Sequence, residues 1–267
     1  WVESDNNIPG GEYFIRQFLR GQRYLRENLG YTADCFWQPD TFGYSAALPQ
    51  ILRGCGIHYF LTTKLSWNEA NPFPYDSFYW EGVDGSRVLT HFNLTHVWPD
   101  PETLRKGVES NICHKDVTDR KLISYGFGDG GGGPSYSMVE SAQRVKNLQG
   151  LPRAEHTTVS AFMSDLEKSA HDLPVYHGEL YLELHRGTLT QKHDIKRSNR
   201  KLEQAIRAME LLNVHACGVG KCAGRLPDTQ DLVDGLLLNQ FHDILPGTCI
   251  GEVHDLAIWQ NYQGEAK

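Results

Sequence analysis

Strand-like and helical segments alternate along roughly the first 150 residues of this 267-residue chain, and no other feature constrains its fold as strongly. Short apolar runs predict strands, at residues 34–37, 57–62, 87–92 and 122–127. Amphipathic or capped segments between them predict helices, at residues 11–29, 45–53 and 135–148. Strands that alternate with helices are typical of an α/β fold with a mainly parallel sheet.

Two details of this first part bear on a binding site. In the helix over residues 11–29, one face is predicted to carry Phe14, Phe18, Leu19, Leu25 and Leu29, with Gly30 as the C-cap. Residues 66–86 are rich in Pro, Asn, Gly and aromatic residues. They are predicted to be a long loop of the kind that shapes a binding site.

The pattern changes after about residue 190, where strand signals become rare. A long amphipathic helix is predicted over residues 192–213, with one apolar face formed by Ile195, Leu202, Ile206, Met209 and Leu212. A second helix, over residues 229–241, is predicted to be capped by Asp228. We therefore expect an α/β catalytic portion over residues 1–190 and a helical bundle over residues 191–267.

Composition excludes some classes of partner. The net charge is −7 and no basic patch stands out, which argues against nucleic acid. No apolar run approaches the roughly 20 residues of a membrane span. The six cysteines are scattered without Cys-x-x-Cys spacing, which favours reduced thiols over a disulfide framework or a zinc ribbon.

Asp40 is the residue most informative about chemistry. It follows the predicted strand 34–37 and precedes a Thr-Phe-Gly turn and the predicted helix at 45–53. In α/β folds the carboxyl ends of the strands are where ligands bind. An acid in this position can equally cap the following helix through its side-chain oxygen, and the local sequence leaves both interpretations open.

Asp129 lies in a glycine-rich loop directly after the predicted strand 122–127. Four consecutive glycines, Gly130 to Gly133, cost backbone entropy on folding, so such a loop usually serves a purpose. Phosphate binding is disfavoured, because no Gly-Lys-Ser/Thr follows and Asp129 would repel an anion. The loop fits better as one that presents an acid to a bulky neutral substrate. The alternative is that Asp129 only accepts hydrogen bonds from the backbone amides of the turn.

Two acids at two strand ends suit glycoside hydrolysis. One carboxylate attacks the anomeric carbon, while the other protonates the departing oxygen and later activates water. The pair His242-Asp243 follows a Leu-rich helix and precedes Ile-Leu-Pro-Gly-Thr. A histidine at a helix end is usually a capping or core residue, but here a carboxylate and a Pro-Gly turn could hold it at the wall of a site.

Five segments of the chain resemble the α-mannosidases of glycoside hydrolase family 38, in the same order along the sequence. They are WVESDNNIPGGE at 1–12, CFWQPDTFGYSAALPQILRGCGIHYFLTTKLSWNE at 35–69, YGFGDGGGGP at 125–134, GELYLELHRGTLT at 178–190 and NQFHDILPGT at 239–248. The glycine-rich form of the third segment resembles the cytosolic and vacuolar branch. The resemblance implies an irregular seven-stranded β/α barrel, incomplete at its N-terminus here, followed by a helical bundle.

The resemblance also implies roles for individual residues. Asp40 would be the nucleophile and Asp129 the general acid/base of a retaining mechanism. Asp40 and His242 would be ligands of one divalent ion, Zn²⁺ or Co²⁺, which contacts sugar hydroxyls. Asp243 would bind sugar, and Trp1, Asp5 and His185 are candidate neighbours of the substrate.

The chain departs from the family at its beginning. The family carries a His-x-Asp motif just upstream of the WVE segment, which supplies two of the four protein ligands of the metal, and this chain begins at Trp1. Affinity for a metal depends on ligand count and geometry, so two ligands fewer should weaken binding severely. The first barrel strand and the large β-rich region of the family are also expected to lie outside this sequence.

Three functions remain as hypotheses. The leading one is the catalytic portion of a retaining, metal-dependent α-mannosidase that acts on terminal α-mannosides of free or N-glycan-derived oligosaccharides. The second is a catalytically silent mannose-binding or scaffold fragment, and the third a metal-dependent carbohydrate deacetylase. The resemblance and the scattered cysteines favour the cytoplasm, with the vacuole as the other location. A homo-oligomer of the full-length protein is left open.

Overall fold

The computed structural model describes residues 1–109, 116–129, 131–220 and 229–266. Its helices are α1 Gly11–Leu29, α2 Leu48–Gly54, α3 Pro101–Glu109, α4 Tyr136–Val145, α5 Val159–Ser169, α6 His193–Gly218, α7 Gln230–Asn239 and α8 Gly251–Ala266. Its strands are β1 Cys35–Trp37, β2 Tyr59–Thr62, β3 Ser77–Glu81, β4 Arg87–Phe92, β5 Leu94–Val97, β6 Ile123–Tyr125 and β7 Val175–His177. Short 3₁₀ helices cover Lys64–Trp67 and Arg186–Leu189.

The chain divides into two compact units. The sheet unit comprises Ala33–Asp40 and Ser45–Glu183. The helix unit comprises Trp1–Thr32, Thr41–Tyr44 and Leu184–Lys267. The division into a catalytic portion over residues 1–190 and a helical bundle over residues 191–267 stays a prediction.

The sheet unit contains a five-stranded mixed sheet in the order β1-β2-β4-β3-β7 and a separate parallel pair, β5-β6. Strands β1, β2 and β4 are parallel, β3 is antiparallel to β4, and β7 is parallel to β3. One core cluster joins β2, β4 and α5 through Tyr59, Leu61, Leu89, Leu122, Phe162, Met163 and Leu166. The mixed α/β class agrees with the prediction, while the irregular seven-stranded barrel, incomplete at its N-terminus, and the helical bundle remain predictions.

The predicted loop over residues 66–86 is wrong in part, because it contains strand β3. Phe78 and Trp80 of this strand are completely buried, and β3 pairs with β4 on one side and β7 on the other. A short turn through Gly82 and Gly85 connects β3 to β4. These aromatic residues form a strand because β4 and β7 pair with it. The Pro- and Asn-rich residues before β3 favour a loop, so the sequence alone does not predict the strand.

The helix unit has its core between α1, α6, α7 and α8. Leu202 and Ile206 of α6 pack with Tyr13 of α1 and with Leu236 and Leu237 of α7. Helix α1 has the predicted bounds, and Gly30 caps it in the left-handed conformation at φ 63°. Its buried face consists of Tyr13, Phe14, Gln17 and Phe18, however, so the predicted apolar face is wrong at Leu19 and Leu29, which are exposed. Leu212 of α6 is exposed as well.

The cysteines differ in part from the prediction of reduced thiols. Cys35, Cys55 and Cys249 are free, and burial raises the pKa of the Cys35 thiol to about 12. Cys217 takes part in a disulfide, so the prediction is wrong for this residue. Cys113, Cys222 and the predicted cap Asp228 lie outside the described residues. Among the described helices, none has both the length and the apolar character needed to cross a membrane.

A buried histidine links β4 to its neighbours in the sheet unit. His91 is fully buried, and its Nε2 accepts a hydrogen bond from the Leu122 amide at 3.2 Å. The other ring nitrogen, Nδ1, therefore carries the proton and donates it to Ser77 Oγ at 2.8 Å. Burial, assisted by the positive charge of Lys121, lowers the pKa of His91 well below its usual value.

The free energy of unfolding should therefore fall as the pH drops below about 6.5, the pKa of a histidine in an unfolded chain. In that range the unfolded chain binds a proton that the folded chain does not, so stability is complete above this pH and is lost on acidification. The slope reaches about 1.4 kcal/mol per pH unit. Urea unfolding between pH 5 and pH 8 measures it, and His91→Gln should remove this component. An identical slope in wild type and variant would contradict the assignment.

Candidate active site

Asp40 lies at the carboxyl end of β1, as predicted, and meets a charged partner there. The Gln38 amide still donates to the Leu61 carbonyl at 2.8 Å, so the chain leaves the sheet only just before Asp40. Lys64 follows β2, the parallel neighbour of β1, and parallel neighbours end at the same edge of a sheet. The Lys64 ammonium forms an ion pair and hydrogen bond with Asp40 Oδ1.

Burial differs sharply between these two partners. The Lys64 side chain is 4% exposed, whereas that of Asp40 is 44% exposed. A buried ammonium needs a compensating charge, and a half-exposed carboxylate stays accessible to a ligand. Lys64 therefore fixes one oxygen of the Asp40 carboxylate and leaves the group open to solvent. Lys64 was not predicted as a site residue, although it lies in one of the segments that carry the resemblance.

Asp129 lies at the exposed tip of a closed hairpin in the sheet unit. The amide and carbonyl of Phe127 pair with those of Gly133, at 2.9 and 2.6 Å, which closes the loop at its base. Gly126 has φ 135°, and a Cβ there would lie 2.8 Å from the Gly133 carbonyl carbon. Gly132 has the same φ, and its Cβ would lie 2.7 Å from Phe127 Cβ. Glycine is needed at both positions for the strands of the hairpin to approach so closely.

The hairpin gives Asp129 a particular backbone and a histidine nearby. Asp129 itself has φ 57°, a left-handed conformation that aspartate and asparagine tolerate better than most residues. The next residue before it, Gly128, is covered by the imidazole of His96, because a Cβ on Gly128 would lie 2.2 Å from His96 Nε2. His96, which lies in β5, was not predicted from the sequence because it has no distinctive neighbours in the chain.

His242 is oriented by the N-terminal segment within the helix unit. Ser4 and Phe241 form an antiparallel bridge, the Asp5 amide donates to the Gln240 carbonyl at 2.8 Å, and the His242 amide donates to the Glu3 carbonyl at 3.0 Å. His242 Nδ1 lies 2.9 Å from the same Glu3 carbonyl. A carbonyl only accepts, so Nδ1 carries a proton, and in a neutral ring Nε2 would be the nitrogen with the lone pair.

Asp243 is held by the turn that follows it. Thr248 Oγ1 donates to Asp243 Oδ1 at 2.8 Å, and the amides of Thr248 and Cys249 donate to the Asp243 carbonyl. Asp243 Oδ2 lies 3.9 Å from His242 Nε2. A carboxylate oxygen and an imidazole nitrogen therefore lie close together in the helix unit.

Phe42 connects two of the candidate histidines in the helix unit. Its ring meets His185 edge-on at a centroid distance of 4.8 Å and His242 at 6.2 Å. The side-chain amide of Asn7 holds this short segment by donating to the Gly43 carbonyl at 3.2 Å. The segment 41–44, which belongs to the helix unit, follows Asp40 directly in the sequence.

Asp5 and Trp1 make contacts that the sequence does not indicate. Asp5 Oδ1 accepts hydrogen bonds from the amides of Asn7 and Ile8, at 2.9 and 2.7 Å. Burial nevertheless raises the pKa of the Asp5 carboxyl above its usual value. The Trp1 ring lies under the Arg20 guanidinium, at 4.7 Å, and its terminal ammonium donates to the Gln17 carbonyl at 2.8 Å.

The fold is that of a solved glycoside-cleaving enzyme. The described chain superimposes on the crystal structure of an alpha-mannosidase from Enterococcus faecalis V583 with a TM-score of 0.73. The match covers 99% of this chain and 32% of that one. The two sequences are 16% identical, so this likeness establishes the fold alone.

Sequence comparison gives the family. Residues 1–179 match the model of the glycosyl hydrolases family 38 N-terminal domain, and residues 183–265 match the alpha mannosidase middle domain. The chain therefore belongs to glycosyl hydrolase family 38. The boundary between the two matched regions falls close to Glu183, where the sheet unit ends.

Several relatives match almost the whole chain. Alpha-mannosidase 2C1 of Homo sapiens is 44% identical over 264 residues, which are 97% of this chain and 25% of that protein. Alpha-mannosidase G of Dictyostelium discoideum is 44% identical over 252 residues, 94% and 23% respectively. The alpha-mannosidase of Saccharomyces cerevisiae is 38% identical over 269 residues, 95% and 25%. This chain thus spans about a quarter of the length of the curated relatives it matches.

Proposed function

We propose that this chain is the catalytic portion of a retaining, metal-dependent α-mannosidase that hydrolyses terminal α-mannosides of free or N-glycan-derived oligosaccharides. The observation that carries the proposal is the half-exposed carboxylate of Asp40. It lies at the carboxyl end of β1, held by buried Lys64, in a chain that belongs to glycosyl hydrolase family 38.

The two acids divide the chemistry between them. In the first step a carboxylate oxygen of Asp40 forms a bond to the anomeric carbon as the glycosidic C–O bond breaks, and Asp129 gives its proton to the departing oxygen. In the second step Asp129 takes a proton from water, whose oxygen bonds to the anomeric carbon and releases the Asp40 carboxylate. Two displacements at one carbon return the α configuration, so the product is the α anomer.

The candidate ligand residues carry donor atoms of the types that bind a divalent ion. Asp40, His242 and Asp243 offer carboxylate oxygens and an imidazole nitrogen, the donor types that zinc accepts. The Glu3 carbonyl fixes the His242 tautomer with Nε2 as the ligand atom, as partners of metal-binding histidines usually do. We propose Asp40 and His242 as ligands of Zn²⁺ or Co²⁺, which when bound would contact sugar hydroxyls.

Other parts of the prediction rest on the resemblance. We propose that Asp243 and His185 contact the sugar, since Thr248 orients the first and Phe42 packs against the second. Asp5 and Trp1 remain predicted neighbours of the substrate, although their described contacts are with the chain itself. The incomplete barrel over 1–190, the bundle over 191–267, the cytoplasmic or vacuolar location and any homo-oligomer of the full-length protein remain predictions too.

Hydrolysis of an aryl α-mannoside tests this proposal. We would assay the 267-residue chain and the longest natural polypeptide that contains it, after removal of metal with a chelator and again after addition of zinc or cobalt. Turnover should require the metal, and NMR should show the α anomer of mannose as the first product. Failure of both proteins to hydrolyse the mannoside would contradict the proposal. Mannose binding without turnover would favour the silent, sugar-binding fragment.

A further inference from the structure

Trp67 and Asp40, the proposed nucleophile, both contact the ammonium group of Lys64. The Lys64 ammonium that pairs with Asp40 also lies over the Trp67 ring, 3.8 Å from its centroid. The ring and the carboxylate therefore share one cation between them. Even so, Trp67 is 49% exposed, which leaves apolar surface next to the candidate active site.

The segment that follows Trp67 is held in place by one glutamate. The Glu183 carboxylate accepts hydrogen bonds from three successive amides, those of Glu69, Ala70 and Asn71, at 2.8, 2.9 and 2.5 Å. These amides hold the pKa of the Glu183 carboxyl below its usual value. A carboxylate that engages three consecutive amides fixes the backbone of the segment.

Asn68 makes a second connection to the same part of the chain. Its Nδ2 donates to the Tyr181 carbonyl at 3.0 Å, and its Oδ1 accepts from the Glu183 amide at 3.0 Å. Tyr181 is itself 44% exposed. Tyr181 and Glu183, in the segment GELYLELHRGTLT, thus hold residues 68–71 in place directly after Trp67.

Exposed aromatic rings fixed by hydrogen-bonded backbone are suited to contact the apolar face of a sugar. Such a ring offers a large contact area and loses little conformational entropy on binding, because its position is set in advance. Lys64 Nζ contacts both the Asp40 carboxylate and the ring, so a sugar in face contact with Trp67 would differ from the sugar attacked by Asp40 and would adjoin it.

We propose that Trp67 binds the leaving-group sugar, the residue adjoining the mannose that is cleaved, and that Glu183 positions it. The inference rests on the proposed function and narrows it, because the site then prefers α-linked mannosyl oligosaccharides to mannosides without a leaving-group sugar. Trp67 is in this scheme a specificity-determining residue, and Glu183 a positioning residue that does not touch substrate.

The ratio of kcat/KM for α-linked mannobiose to kcat/KM for α-mannosyl fluoride tests the proposal, since the fluoride has no leaving-group sugar. Trp67→Ala should lower this ratio about tenfold, while Trp67→Phe should keep most of it. Glu183→Ala should lower the ratio in part, chiefly through KM for mannobiose, and Glu183→Gln should lower it less, because glutamine keeps one accepting oxygen where the carboxylate uses two. Trp259→Ala is the matched control, since Trp259 is exposed on α8.

A binding measurement separates failure of this proposal from failure of the proposed function. The indole NH signal of Trp67, assigned by its loss in Trp67→Ala, is followed while mannobiose is added to the chain. A shift of this signal supports the sugar contact even if no variant hydrolyses either substrate. Unchanged kcat/KM ratios in an active enzyme would overturn the Trp67 proposal and leave the hydrolase intact. In an inactive chain, an indole signal that mannobiose does not shift would overturn it.

Discussion

Asp40→Asn should abolish hydrolysis of α-mannosides and leave the fold intact. The amide cannot attack the anomeric carbon, so the first displacement is lost. Removal of the nucleophile from an enzyme with a covalent intermediate typically lowers kcat by more than about a thousandfold. The measurement is kcat for an aryl α-mannoside in the metal-loaded protein. It uses the 267-residue chain or the longer natural polypeptide that contains it, whichever hydrolyses the substrate.

The fold of this variant is expected to survive for a structural reason. Lys64 is buried and needs an acceptor, and the side-chain oxygen of asparagine still accepts its hydrogen bond although the charge is gone. We expect a moderate loss of stability in urea unfolding and an unchanged circular dichroism spectrum. Asp84→Asn provides the matched control, since Asp84 is an acid in the turn between β3 and β4 whose described side-chain hydrogen bonds are with Ser86. Activity of Asp40→Asn within tenfold of wild type would disprove the nucleophile assignment.

Local signals predict the fold well wherever a segment carries its own pattern. Helix α1 has its predicted bounds because an amphipathic run ends at a glycine that adopts a left-handed conformation. Strand β4 has its predicted bounds as well, since its apolar run stands alone. Strand β3 escapes prediction because its burial comes from β4 and β7, and β7 is almost a hundred residues further along the chain.

In the candidate site, too, the sequence predicts residues that have a local signal and misses those placed by distant contacts. The sequence indicates Asp40 because an acid after a strand lies at the ligand-binding edge of a parallel sheet. Lys64 is one of 26 basic residues, and only the parallel register of β1 and β2 assigns it to Asp40. The hydrogen bond that fixes the His242 tautomer depends on the pairing of residues 3–5 with residues 240–242. Contacts between residues so distant in sequence produce no local sequence pattern, so the sequence does not predict them.

Asp129→Asn should produce a defect that depends on the leaving group. For a methyl mannoside or mannobiose, whose oxygen must be protonated as it departs, kcat/KM should fall by about a hundredfold or more. For 2,4-dinitrophenyl α-mannoside, which departs without a proton, kcat/KM should change little. The second step lacks its base with either substrate, so kcat should be low and a mannosyl-enzyme should accumulate.

Azide distinguishes this role of Asp129 from a structural one. Azide needs no general base, so it should react with the accumulated mannosyl-enzyme of Asp129→Asn, restore turnover of the dinitrophenyl mannoside and give α-mannosyl azide. Asp172→Asn is the matched control, because Asp172 has nearly the same left-handed backbone, φ 54° against 57° for Asp129, elsewhere in the sheet unit. Asparagine adopts that conformation readily, so neither substitution should strain the chain. Equal losses on all substrates without rescue by azide would show that Asp129 only supports its hairpin.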